Sequence, residues 1–148
     1  MTRADLLAFL RSHRYAVQSS THASGAPQSA VVGIAVSDDF EIVFDTIETS
    51  RKAQNLRRRR EISFVLGGRS PDDERTVQYE GIADEPVGEE RARLTALYYE
   101  AFPDGRDRLQ WPGLTYLRAT ARWLRYSDFG QDPPQIAEFD QAALESLA

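Results

Sequence analysis

The 148 residues carry 18 lysines and arginines against 23 aspartates and glutamates, a net charge of -5, with 41% hydrophobic and 28% charged residues. That length and balance suit one domain over 1–148 around a single core, and no window approaches the roughly 20 apolar residues of a membrane span. Zero cysteines exclude disulfides and thiolate chemistry, and His13 and His22 are too few for an ordinary zinc or facial-triad centre, so no metal site is expected.

Met1 to Asp5 lack the charged-then-apolar layout of a secretory signal, and a reducing cytoplasm is the expected location. Leu6, Phe9, Leu10 and His13 follow helical spacing, which predicts a short amphipathic helix over about 3 to 12 capped by Thr2. Tyr15 to Ser20 and Gln28 to Val36 read as strands around the turn Ser24-Gly25-Ala26-Pro27, and Asp38-Asp39 separates the second from a strand at Glu41 to Asp45. Glu61 to Leu66 and Thr76 to Ala83 read as the fourth and fifth strands. Between Pro86 and Pro103, Leu94, Leu97, Tyr98, Ala101 and Phe102 mark one face of a helix that Pro103-Asp104-Gly105 ends. From Leu114 to Tyr126, Leu117, Ala119, Ala121 and Trp123 form one apolar strand face, with Arg118, Thr120 and Arg122 on the other. The tail holds at most a short helix beginning near Asp140. Six strands in this order predict a mainly β domain with flanking helices, a closed or nearly closed antiparallel barrel.

His13 near a helix C-terminus and His22 in a turn suit solvated structural roles, and the acidic pairs Asp38-Asp39, Asp72-Asp73-Glu74 and Glu89-Glu90 suit turns and a helix start. The segment from Arg51 to Arg60 is different. It holds six of the basic residues and no acid, leaving 12 basic against 23 acidic residues elsewhere. With Thr49 or Ser50 as cap, Arg51 and Lys52 occupy the first helical turn, where the positive dipole end disfavours cations. A bound anion reverses that sign, since first-turn amides, a serine hydroxyl and two flexible cations together cradle a phosphate. The alternative is a charged exposed face with Ala53 and Leu56 packing beneath it. Arg57 to Arg60 suit the C-terminal end of the same helix and need no ligand. Nucleic-acid binding is not expected of an acidic chain whose basic run lacks aromatics.

The chain resembles the pyridoxamine 5'-phosphate oxidase-like, FMN-binding split barrels. The resemblance is carried by Gly25-Ala26-Pro27-Gln28, Ile42-Val43-Phe44-Asp45-Thr46, Thr49-Ser50-Arg51-Lys52-Ala53-Gln54-Asn55-Leu56-Arg57-Arg58 and the strand Ile62 to Leu66, in matching order over most of residues 1–126. It implies a six-stranded antiparallel split barrel and a homodimer with FMN at the two-fold interface. By position, Ser50, Arg51 and Lys52 are expected to bind the phosphate, Thr46 to lie near the ring or ribityl chain, and Val31 and Val32 to offer backbone groups to the isoalloxazine. Gln78 on the fifth strand is a looser candidate, and Trp111 and Tyr126 are similar in placement to residues reaching the flavin from the partner, though both also suit ordinary packing.

Two cations of the true oxidases are missing, because Ala30 stands where they carry a phosphate-binding arginine and Ala35 where they carry a substrate-binding lysine. Their Arg-x-His signature is absent too, so vitamin B6 activity is not expected. What the resemblance implies is a flavin-dependent oxidoreductase acting on a small organic substrate. The alternatives are a deazaflavin-dependent reductase on the same fold, its anionic tail lying along Arg57 to Arg60, and a non-catalytic flavin-binding or interaction module.

Overall fold

The computed structural model describes residues 1–148. Helix α1, Arg3–Arg11, starts at a capping box: the Thr2 hydroxyl accepts from the Asp5 amide at 3.1 Å, and the Asp5 carboxylate accepts from the Thr2 amide at 2.9 Å. Its apolar face, Leu6, Phe9 and Leu10, is buried against the sheet, as the spacing predicts. Strands β1, Tyr15–Thr21, and β2, Pro27–Gly33, form a hairpin around Gly25, whose φ of 87° explains the glycine there. Then follow β3 (Ala35–Val36), β4 (Ile42–Ile47), α2 (Arg51–Arg58), β5 (Glu61–Gly67), β6 (Arg75–Asp84) and α3 (Gly88–Ala101). A 3-10 helix over Pro103–Gln110, β7 (Leu114–Asp128), β8 (Gln135–Asp140) and α4 (Gln141–Ser146), capped by Asp140, complete the chain.

All pairings are antiparallel, and the strand order is β2-β1-β5-β6-β7-β4-β3. Strands β2 and β3 stand at opposite ends of that order, yet only Ile34 separates them in sequence. The sheet must therefore curl until its two ends meet, which makes it a split barrel. Inside, Phe44, Phe64 and Tyr79 meet edge to face, with centroids 5.9 and 5.5 Å apart. A second apolar cluster, including Val43, Leu94, Tyr98 and Tyr116, packs α3 onto the outside of β4 and β7. No helix is long and apolar enough to cross a membrane.

The fold class matches the expectation, with eight strands in place of six. Gln28 to Val36 does not run as one strand but breaks at Ile34, where the chain passes from one end of the sheet to the other. Strand β8 was not expected. It pairs with the second half of β7, on the side where β4 takes the first half. The face assigned to β7 also needs correction beyond Ala121. Glu80 pairs with Trp123 while Gly81 pairs with Ala121, so Arg122 is the extra residue of a bulge and the alternation changes phase. Leu117, Ala119 and Ala121 point inward as predicted, but Leu124 and Tyr126 follow them into the core and Trp123 does not.

Candidate functional site at the start of α2

Strand β4 delivers the site. Its last residue, Ile47, pairs with Leu114, and the Glu48 amide donates to the Gly113 carbonyl at 2.7 Å, so the turn leading into α2 lies against the turn leading into β7. Ser50 then caps α2: its hydroxyl accepts from the Ala53 amide at 3.2 Å and lies 2.9 Å from the Thr46 hydroxyl. Ala53, Asn55 and Leu56 are buried and set the rotation of the helix, which leaves Arg51 exposed and Lys52 half-buried at its head. The first-turn N–H groups have no intrahelical acceptor and point the same way.

Electrostatics separates the six basic residues of this segment. Arg57 donates to Glu85 at 2.7 Å and lies 3.6 Å from Glu48. Arg58 donates to the Thr21 carbonyl at 3.0 Å, Arg60 to the Ala83 carbonyl at 2.8 Å, and Arg59 lies 3.8 Å from Glu61. Those four are engaged locally, as expected of the helix C-terminus. Arg51 and Lys52 have no carboxylate within ion-pair distance, although they stand where the helix dipole disfavours positive charge.

Thr46, Ser50, Arg51 and Lys52 are thus gathered at one end of the barrel. Gln28, which earned no role from the sequence, joins them, because its side-chain amide lies between the Arg51 guanidinium and the Asn55 amide. Ser20, on the neighbouring strand, lies 3.1 Å from the same Asn55 amide. Val32 is buried in the core, whereas Val31 is 66% exposed on the outer face of β2. There the register aligns Val31 with Val17 and Val65, and Gln78 continues the row on β6. Trp111 is 54% exposed and precedes the turn whose Gly113 carbonyl receives the Glu48 amide, so it lies at the α2 end. Tyr126 does not join them: it is 5% exposed inside this chain's own core, edge-on to Phe9 at 5.5 Å. The bulge at Arg122 turned it inward. Asp45, beside Thr46 but on the opposite face of β4, accepts from Arg108 at 2.7 Å and Tyr98 at 3.1 Å, fastening the 3-10 segment that leads to Trp111.

Glu85 ties α2 to the sheet by accepting from Arg57 and, at 3.0 Å, from the Thr115 hydroxyl. The Arg57 hydrogen bond is the main reason its carboxyl is held below the ordinary glutamate range, with Thr115 adding to the shift. A carboxyl depressed by folding contributes stability that is present above its unfolded pKa and lost as pH falls through the folded value. Thermal melts on the acid side should therefore fall less steeply for Glu85→Gln than for the wild type, while at neutral pH the variant melts lower. Parallel acid-side slopes would show that the pair contributes nothing.

The donor set fits a phosphate monoester: two cations without a carboxylate partner, a hydroxyl pair and a helix N-terminus converge with no acid among them. A family model described as pyridoxamine 5'-phosphate oxidase matches residues 2–128. No curated protein matches the chain in sequence. Among solved structures, a heme binding protein from Mycobacterium smegmatis aligns with a TM-score of 0.82 at 14% identity, over 96% of this chain and 59% of that one. This chain therefore spans about three-fifths of that protein's length. A pyridoxamine 5'-phosphate oxidase-related, FMN binding protein from Nostoc punctiforme aligns at 0.71 and 14% identity, over 93% and 87% of the two chains. The heme storage protein HutZ from Vibrio cholerae aligns at 0.68 and 15% identity, over 95% of each. At such identities these structures establish the split-barrel fold and leave the ligand open. The family match runs through β2, β4 and α2, the segments that build this cluster, and on to the end of β7, and the chain belongs to the pyridoxamine 5'-phosphate oxidase family.

Proposed function

We propose that the chain holds FMN at the interface of a homodimer and acts as a flavin-dependent oxidoreductase on a small organic substrate. The observation that carries this reading is the pair Arg51 and Lys52, two cations with no carboxylate partner at the positive end of α2 in a chain of net charge -5. A phosphate dianion turns the local repulsion into attraction, with the Ser50 and Thr46 hydroxyls 2.9 Å apart beside it. The exposed row Val31, Val17 and Val65, extended by Gln78, offers an apolar surface for a second copy, and Val31 and Val32 offer backbone groups to the flavin ring. Trp111 of the partner is proposed as a lid that excludes water.

When bound, the flavin supplies hydride acceptance and donation. The protein's own residues grip the phosphate, fix the ring against β2 and keep solvent out. Ala30 on β2 and Ala35 on β3 stand in place of the two cations of the vitamin B6 oxidases, which supports a different small molecule as the substrate. The local engagement of Arg57 to Arg60 favours FMN over a deazaflavin, whose anionic tail needs free cations along that side.

Absorption spectra of the purified protein, alone and titrated with FMN, the deazaflavin coenzyme and hemin, test the assignment. Saturable uptake of FMN with a flavin spectrum supports it. A protein that takes up only the deazaflavin replaces the cofactor, and one that takes up neither flavin nor deazaflavin, with or without hemin, sinks the reading. Bound FMN that no donor such as NAD(P)H reduces makes the chain a flavin carrier.

A further inference from the structure

Several arginines of the chain sit directly against acids, and Arg51 does not. Arg11, Arg57, Arg75, Arg93, Arg108 and Arg118 each have a carboxylate oxygen within 2.8 Å. Arg51 instead meets the side chain of Gln28, the second residue of β2. An amide nitrogen against a guanidinium sets donor against donor, so the Gln28 oxygen faces Arg51 and accepts from Nε at 3.1 Å and from the adjacent Nη2. Its nitrogen then faces Asn55 at 2.7 Å and needs an acceptor there, so the Asn55 amide presents its oxygen, which can also accept from the Ser20 hydroxyl at 3.1 Å; Asn55 is only 1% exposed. Gln28 is in this way anchored to the buried side of α2 while it holds a cation at the head of the same helix.

We propose that Gln28 is a positioning residue for anion binding, an uncharged acceptor that orients the Arg51 guanidinium without cancelling its charge. This rests on the phosphate reading above. Gln28 and Ala30 are two residues apart on one face of β2, so the strand that carries no cation at 30 instead steadies one that arrives from α2. A glutamate at 28 could accept the same two bonds, but its charge would neutralise Arg51 and repel a phosphate dianion. An apolar side chain would free the guanidinium, and the rotamer freedom of arginine would then oppose binding.

The test titrates FMN and riboflavin, which lacks the phosphate, into wild type, Gln28→Glu and Gln28→Met. The expected result is an FMN dissociation constant raised by about tenfold or more in Gln28→Glu and severalfold in Gln28→Met, with riboflavin affinity unchanged in both. Two outcomes overturn the role: FMN affinity of Gln28→Glu within about twofold of wild type, or FMN and riboflavin weakened alike, which marks a structural contribution through Asn55. If circular dichroism shows Gln28→Glu unfolded, the FMN to riboflavin affinity ratio of Gln28→Met decides, and an unchanged ratio overturns the role. A wild type that binds no FMN overturns the phosphate reading and this role with it, whereas normal FMN uptake with a silent Gln28→Glu overturns the role alone.

Discussion

Replacing Lys52 by alanine is expected to raise the FMN dissociation constant by about tenfold to a hundredfold, the range that loss of one charge-assisted hydrogen bond to phosphate spans. The double replacement of Arg51 and Lys52 should abolish measurable uptake at micromolar protein. Riboflavin affinity should stay put, because the two cations are proposed to contact only the phosphate. Stability of the ligand-free protein should move the other way. Cations in a first helical turn oppose the dipole, and neither residue has an acid to lose, so removing them should leave the apo melting temperature unchanged or slightly higher. Ala53 and Leu56, which hold the helix to the barrel, are untouched by either change. Weaker binding with equal or greater apo stability distinguishes a binding residue from a structural one; a melting temperature that falls with the affinity would show that Lys52 supports the helix. Raising the salt concentration should narrow the gap between wild type and variant, since screening acts on the charges that the variant lacks.

The opposed effects follow from a local conflict that was visible before folding. A serine cap followed by two cations contradicts the dipole rule, and such conflicts gather at functional sites. Most elements were legible for the complementary reason, that local signals agreed: Thr2 and Asp5 form the predicted cap, and Val77 and Tyr79 alternate with Gln78 and Glu80 as β6 requires. The failures lie where tertiary pairing overrides local pattern. Val31, Val32, Ile34 and Val36 are β-branched and read as one strand, and Gly33 alone signals that the chain changes ends of the sheet at Ile34. Strand β8 has Ile136 as its only β-branched residue and owes its form to pairing with β7. The bulge at Arg122 changes the phase of the alternation, so that Tyr126 enters the core and Trp123 does not. Gln28 was illegible as a site residue because an isolated glutamine has no chemistry until α2 folds onto β2 and sets a guanidinium against it.

Replacing Val31 by glutamate is expected to convert a homodimer to a folded monomer. Val31, Val17 and Val65 are 66%, 40% and 46% exposed, and the register places them side by side on three adjacent strands, with Tyr15 at 44% one row away. Scattered apolar residues on a surface need no explanation, but a row of three on adjacent strands is a candidate for a surface that a partner covers. A second copy is the proposed cover, and two-fold symmetry makes that choice testable: each patch meets the same patch, so one new carboxylate enters the interface twice, stripped of water and facing its own charge. The variant should run at half the mass in light scattering with an unchanged circular dichroism spectrum, because Val31 faces outward and contributes nothing to the core. FMN affinity should fall with the mass, since the cofactor is proposed to lie between the two copies. Lys52→Ala, by contrast, should bind FMN more weakly while remaining dimeric. A Val31→Glu protein that stays dimeric and keeps its flavin moves the interface to another face, and one that becomes monomeric yet binds FMN as before places the whole site within a single chain.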